Sequence, residues 1–329
     1  MPIGRKNGDG PWAAAPMSAV QARAPDLLAA VEPGESRVWR VLAVVLAGGG
    51  LAFLASLVVS VLALVVAALV FVDPLGGSLG AAVEALLSAR GGRPLTTYLA
   101  ELATIGLGFA AALAVFLLVA SRIHRRPVLS FLTAADRFRW RAVAAGFLVA
   151  APLLLAVIGV EGMRSPPPEA GPLLSEETTG AKLAYTAGAV VFLFLAAFAE
   201  EAVFRGWALQ QTRAFTRRRW VILLVPGLLF SLGHADPNPD AFLVRAAMGV
   251  AWGWIALRTG GVEFTTGAHL ANNLLIALLL TPITLEAPKP LPFNAVGLGL
   301  ELVVLAALIA VVEVARRRPA LGRRLGMVS

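Results

Sequence analysis

Three short segments carry polar side chains where their surroundings are almost wholly apolar. The first is Phe198-Ala199-Glu200-Glu201-Ala202-Val203-Phe204-Arg205, the second Phe230-Ser231-Leu232-Gly233-His234 and the third His269-Leu270-Ala271-Asn272-Asn273. An ionisable group at the centre of a membrane helix costs roughly 2.5–3.5 kcal/mol on insertion scales, so several of them together imply a shared use. Two of the three histidines of the chain lie in these segments.

On a helix Glu201 and Arg205 are four residues apart, share a face and stand in the favourable order for an ion pair. Glu200 points about 100° away, which makes it the unpaired carboxylate and the available general base. Phe230 with His234, and His269 with Asn273, likewise lie one turn apart on a common face. A carboxylate base, a histidine partner and two hydrogen-bond donors suffice for acyl transfer to water.

Rise per residue places the first two segments at one depth. The helix descends about 21 Å from Glu200 to Ala214, and the return from Arg219 to His234 climbs about 22 Å, so Glu200 and His234 can face each other across an antiparallel hairpin. His269 fits less simply: it lies only roughly 16 Å of helix beyond Arg258, and that stretch includes Thr259-Gly260-Gly261. Either this turn lies inside the membrane profile or the site lies nearer the cytoplasmic face.

These segments need helices to carry them. The 329-residue chain is 58% hydrophobic and 15% charged, against about 25% charged in an ordinary soluble domain. Its apolar runs repeatedly reach the roughly 20 residues that span a bilayer core. Hydropathy predicts eight spans, near 40–72, 97–120, 140–160, 182–204, 220–235, 241–258, 266–281 and 295–315. The runs are too long and too uniformly apolar for barrel strands, so the expected fold is all-α, a polytopic membrane helical bundle. Residues 1–36 read as a flexible cytoplasmic tail ahead of an uncleaved first span, 37–316 as the bundle with a core at about 182–281 that holds the three polar segments, and 317–329 as a basic cytoplasmic tail. Gly48-Gly49-Gly50 permits close helix packing in the first span. The gap from Glu161 to Lys182, with Pro166-Pro167-Pro168 and Glu176-Glu177, reads as a solvated external loop.

The net charge of +8 comes from 28 basic residues, of which three are lysine, Lys6, Lys182 and Lys289. Arg122, Arg125, Arg126, Arg137, Arg139 and Arg141 fall in one gap, Arg213, Arg217, Arg218 and Arg219 in another, and Arg316, Arg317, Arg318, Arg323 and Arg324 in the tail. With eight spans all of these lie on one side, which the positive-inside rule makes cytoplasmic, with both termini. The expected location is a bacterial plasma membrane, with the lipid bilayer as surroundings. Arginines dispersed at helix ends exclude a nucleic-acid partner. His124, beside Arg122, Arg125 and Arg126, is expected to be solvated, and Trp252 and Trp254 to be interface anchors or packing residues.

Other membrane chemistries are excluded by what is missing. No cysteine is present, so there is no thiol nucleophile, disulfide or thiolate metal site. No HExxH or GxSxG motif occurs. Asp73, Asp136, Asp236 and Asp240 fall at helix ends or in loops, away from the positions of an intramembrane aspartate pair.

Taken in order, the three segments resemble the CAAX protease and bacteriocin-processing family, the intramembrane glutamic endopeptidases related to type II CAAX prenyl endopeptidases. Glu200-Glu201 with Arg205, Phe230 with His234, and His269 with Asn273 match the family pattern EExxxR, FxxxH and HxxxN. The resemblance covers mainly residues 190–280. It implies hydrolysis of a peptide bond in a membrane-associated or lipidated substrate, with Glu200 and His234 activating water. It also implies His269 and Asn273 as oxyanion donors, Glu201, Arg205 and Phe230 as structural support, and no cofactor. Three alternatives stand beside it. Glu200, His234 and His269 could form a zinc site, the chain could be a non-catalytic scaffold or regulator, or the same residues could relay protons in a transporter, a reading disfavoured by the lack of repeat symmetry.

Overall fold

A computed structural model describes residues 26–75, 77–87, 94–165, 170–285 and 288–327. Its helices are α1 (Val38–Ala43), α2 (Gly49–Leu75), α3 (Leu79–Leu87), α4 (Leu95–His124), α5 (Leu129–Leu132), α6 (Trp140–Arg164), α7 (Thr179–Glu201), α8 (Leu209–Phe215), α9 (Arg219–Gly233), α10 (Pro239–Thr259), α11 (Glu263–Leu279), α12 (Ala295–Arg317) and α13 (Pro319–Arg324). A π turn, Val44–Gly48, joins α1 to α2, and another, Ala202–Ala208, joins α7 to α8. No strand occurs among the described residues, and the chain is an all-helical, multi-pass membrane protein.

Each of the eight expected segments falls on a helix, but six are long and apolar enough to cross a membrane: Val38–Val70, Leu95–His124, Trp140–Arg164, Thr179–Phe215, Pro239–Thr259 and Ala295–Arg317. The two that fall short are α9 and α11. At about 22 Å and 25 Å respectively they do not reach across a hydrocarbon core of about 30 Å. These short helices carry His234 at the C-cap of α9 and His269 within α11.

Helix order in space follows from small residues. α11 lies closest to α6, where a Cβ on Gly267 would collide with the Val143 backbone and one on Gly146 with the Phe264 backbone. Such backbone-to-backbone approach is the usual source of helix association in lipid, where apolar burial gives no drive. α7 packs between α4 and α11, α2 packs on α4, and α10 on both α9 and α12. Of the expected Gly48-Gly49-Gly50 contact, only Gly48 meets a neighbour, Val119, while Gly49 and Gly50 face open space. The span from Val38 to Val70 is the least covered, with Leu46, Phe53 and Leu62 among its exposed side chains.

The arginine-rich helix ends are tied together by ion pairs. Arg139 donates to Glu263 through Nε (2.9 Å) and Nη2 (2.7 Å), and to the carbonyl of Thr259 through Nη1 (2.8 Å). Its Nη1 also reaches the carbonyl of Met327 (3.4 Å), so one guanidinium gathers the start of α6, the end of α10, the start of α11 and the chain beyond α13. Gly260, with φ +74°, closes α10, and Val262 donates to the Leu132 carbonyl. Thr259, Gly260 and Gly261 are buried in protein. The turn is packed within the fold, a setting in which irregular backbone is tolerated.

Three expectations are corrected at this end. Residues 27–36, read as part of a flexible tail, form two 3-10 turns that bury Leu27 and Glu35; residues 1–25 lie outside the described residues. His124 is buried rather than solvated: its Nδ1 lies 3.6 Å from Glu35, and the indole N–H of Trp207 donates to its Nε2 at 3.4 Å. Glu35 also accepts from Arg126 (2.7 Å) and Gln211 (3.1 Å), and Arg126 donates to Gln210 as well. The basic tail folds back, with Met327 buried.

At the opposite end, Glu177 accepts from the Leu95 backbone N–H (3.1 Å) and Pro172 is buried, so the expected external loop is partly packed. Its Pro166-Pro167-Pro168 lies outside the described residues.

Glu263 is fully buried, and among the described residues its charge is met by Arg139 alone. Glu263→Ala is therefore expected to lower stability by about 3–5 kcal/mol, since one buried charge loses its partner. Replacing both residues by leucine should cost less than either single truncation, as read by thermal unfolding in detergent. Additive losses would show that the two side chains act independently.

Candidate active site

The first motif sits where α7 gives way to the π turn Ala202–Ala208, which begins directly after Glu201. Single π turns inside α-helices recur at functional sites because the extra residue re-aims the side chains beyond it. Arg205 lies in this turn and its Nη1 is 3.1 Å from Glu201 Oε1, both side chains being buried. The expected ion pair is thus present. The guanidinium carbon also stands 4.0 Å from the Phe230 ring centroid and 5.1 Å from that of Trp252. A desolvated cation held over aromatic faces gains about 2 kcal/mol from the ring quadrupoles.

The same Glu201 oxygen meets His269, whose Nδ1 is 3.0 Å away. A carboxylate paired with arginine accepts, so Nδ1 carries the hydrogen and donates to Glu201. That leaves His269 Nε2 facing Glu200, 3.3 Å from its Oε2. Glu200 was expected to be the unpaired carboxylate. The structure corrects this: the rotation of α11 brings the His269 imidazole between both carboxylates. The side chain of Glu200 is 17% exposed while that of Glu201 is fully buried, so only the first can meet a substrate.

His234 caps α9 and lies 2.8 Å from the Phe230 carbonyl through Nδ1. A carbonyl only accepts, so Nδ1 donates to this last-turn oxygen and Nε2 stays free. No ion pair joins His234 to Glu200 among the described residues. Their common depth is nevertheless visible in the pair Phe204 and Phe230, whose rings meet edge to face at 5.4 Å one turn below each. Phe230 forms the wall between the two histidines, 4.7 Å from the His234 ring and 6.0 Å from the His269 ring. Asn273, half-buried on α11, accepts from Asn272 Nδ2 through its Oδ1 (3.2 Å), which leaves its own amide nitrogen as a donor. The partly exposed edge of the site is therefore Glu200 and His234, its buried base is Glu201, Arg205 and His269, and Asn273 lies one helical turn beyond His269 on α11.

Trp252 was read as an interface anchor or packing residue, and it packs: its ring lies 4.8 Å from His269 and is almost fully buried. Trp254 donates to Glu313 at 3.1 Å, within the bundle. Glu263, which anchors the helix bearing His269 and Asn273, was missed. The available signal was an acidic residue in the first turn of an apolar segment, where it meets the positive helix end. A zinc site would require Glu200, His234 and His269 to converge. His234 Nδ1 is turned to its own helix, and among the described residues no three histidine or carboxylate side chains are grouped to hold a metal.

Residues 182–275 match the model of the family described as type II CAAX prenyl endopeptidase, Rce1-like. That stretch contains all three motifs and the wall and base residues around them. An uncharacterized protein of Bacillus subtilis (strain 168), YyaK, is 27% identical over 165 residues, 48% of this chain and 54% of that protein. The chain thus spans about half the length of the curated relative it matches. No solved structure matches.

Glu201 neutralises Arg205 in a dry setting, so Glu201→Gln should destabilise the protein by about 3–5 kcal/mol, the cost of leaving a buried charge alone. Glu200→Gln, at a half-open position with no arginine partner, should change stability by less than about 1 kcal/mol. Thermal unfolding of the two variants in one detergent gives the comparison, and equal losses would remove the distinction between base and edge.

Proposed function

We propose that a chain whose Rce1-like stretch gathers two glutamates around one histidine is a membrane-embedded endopeptidase acting on a membrane-associated peptide. One observation carries the reading: the His269 ring lies between Glu201 at 3.0 Å and Glu200 at 3.3 Å, with Arg205 closing the charge of the pair. A carboxylate that orients an imidazole through Nδ1 fixes which ring nitrogen faces the reacting groups, the same logic as in hydrolytic triads.

In this reading Glu200, the exposed carboxylate, takes the proton of the attacking water, and His234 Nε2 stands free to assist it from across the Phe230 wall. The Asn273 amide supplies a hydrogen-bond donor for the oxyanion of the tetrahedral intermediate, and His269 Nε2 joins it when that nitrogen is protonated, the ring then donating through both nitrogens. Fixed donors are worth most where water is excluded, because they need no reorganisation as charge develops. Glu201 is the positioning residue for His269, and Phe230 and Trp252 hold the ring from its faces. The peptide bond breaks as the leaving amine takes the proton held by Glu200. Hydrolysis proceeds without a metal, the arginine-rich end faces the cytoplasm, and the setting is a bacterial plasma membrane.

In proteoliposomes with a membrane-anchored reporter peptide, Glu200→Gln should lower kcat at least about a hundredfold, the usual scale for loss of a general base, with the fold intact. Undiminished turnover would end the glutamate-dependent reading. Treatment of the wild-type protein with a strong chelator should leave turnover unchanged, and loss restored by zinc would replace the proposal with a metalloprotease. If stable Glu201→Gln lost turnover and Glu200→Gln did not, the roles of the two carboxylates would be exchanged.

A further inference from the structure

Two adjoining cavities open at the arginine-poor end of the bundle. The outer one, about 700 Å³, is walled by the connection before α10 and the irregular segment between α11 and α12. The inner one, about 240 Å³, shares Asp240, Ala241 and Asn294 with it and continues inward between α10, α11 and α12. The inner walls are built with helical regularity. α10 contributes Asp240, Val244 and Met248, successive turns of one face. α11 contributes Asn272 and Ile276, again one turn apart. α12 adds Leu298 and Glu301, three residues apart. From Asp240 to Met248 the inner cavity follows about 12 Å of helix.

Its polar lining is unusual for a lipid-facing groove. Glu301 lies within the α12 span and has neither ion pair nor hydrogen bond among the described residues. Arg245, the nearest cation of the wall, is committed to Asp236 at 2.7 Å. Burial alone would raise the Asp236 carboxyl, but the Asn238 backbone N–H and the Arg245 guanidinium outweigh it and hold it below the usual carboxylate range, so that pair stays closed. One oxygen of Asp240 is buried without a partner. Groups of this kind demand solvation, and at roughly 30 Å³ per molecule the inner cavity has room for several waters.

The deep end touches the site. Asn272 lines the cavity and donates to Asn273, while Met248 packs in one cluster with Trp252, whose ring lies against His269. We propose that these cavities form an aqueous conduit from the arginine-poor end to Asn272, so that water reaches the Asn273 side of the site without crossing lipid. The destination rests on the hydrolase reading, but the hydration of the conduit does not.

The absence of native cysteine makes the test direct. Single cysteines at Asn272 and Leu298 are reconstituted and exposed to a charged, membrane-impermeant thiol reagent from each side in turn. Leu291→Cys marks the mouth, Arg217→Cys the opposite end and Leu62→Cys the lipid. The expected result is that Asn272→Cys and Leu298→Cys react from the Leu291 side alone, about a hundredfold faster than Leu62→Cys, the factor that corresponds to keeping a charge out of lipid. Adding Leu298→Trp to Asn272→Cys should abolish labelling while Leu291→Cys still reacts. Rates equal to Leu62→Cys, as a lipid-filled groove would give, labelling from the Arg217 side, or labelling that survives the tryptophan would each overturn the conduit. Because no readout is turnover, a dry cavity and an inactive enzyme remain separate outcomes.

Discussion

One oxygen of Glu201 is shared by the His269 imidazole and the Arg205 guanidinium. That shared acceptor links the continuous helix that runs from α7 through the π turn to the middle of α11, two pieces of backbone with no hydrogen-bond ladder in common. Without the arginine the carboxylate would be an uncompensated buried charge, and without the carboxylate the imidazole would have no preferred tautomer. Phe230 and Trp252 then complete a dry sleeve around the cation, which is why aromatic residues from α9 and α10 converge on a residue of the π turn. The site is thus organised from its charged centre outward.

A second constraint comes from the backbone. Helix α11 begins about 9 Å before His269, whereas the helix bearing Glu201 continues about 21 Å to Phe215. The difference is filled by the Thr259–Val262 turn, whose polar groups are satisfied by α5 residues and by Arg139 instead of water. Burial of this irregular turn is what allows a 17-residue helix to present its histidine at the same height as Glu200.

Much of this was legible. The spacing of Glu201 and Arg205 carried the ion pair, and rise per residue carried the common depth of the first two motifs, seen in the Phe204 and Phe230 contact. The rotation of α11 was not legible, because helical spacing says which residues share a face and not which neighbour that face meets. Hence Glu200 read as unpaired although it lies beside His269. Counting arginines by side predicted an orientation but hid their second use: Arg126 and Arg139 close buried ion pairs with Glu35 and Glu263. Glu35 itself was concealed in a stretch whose composition resembles a tail, and only tertiary partners reveal that it is packed.

The shortness of α9 and α11 also bears on biogenesis. Six helices have the length and apolarity to partition into lipid one by one as the chain leaves the ribosome. α9 falls short in length, and α11 carries Glu263, His269, Asn272 and Asn273 into the same apolar environment. Each packs against longer helices, α9 on α10 and α11 on α6 and α7. The two histidines thus ride on helices that lean on their neighbours, whereas the glutamates ride on one long and apolar enough to enter the membrane by itself.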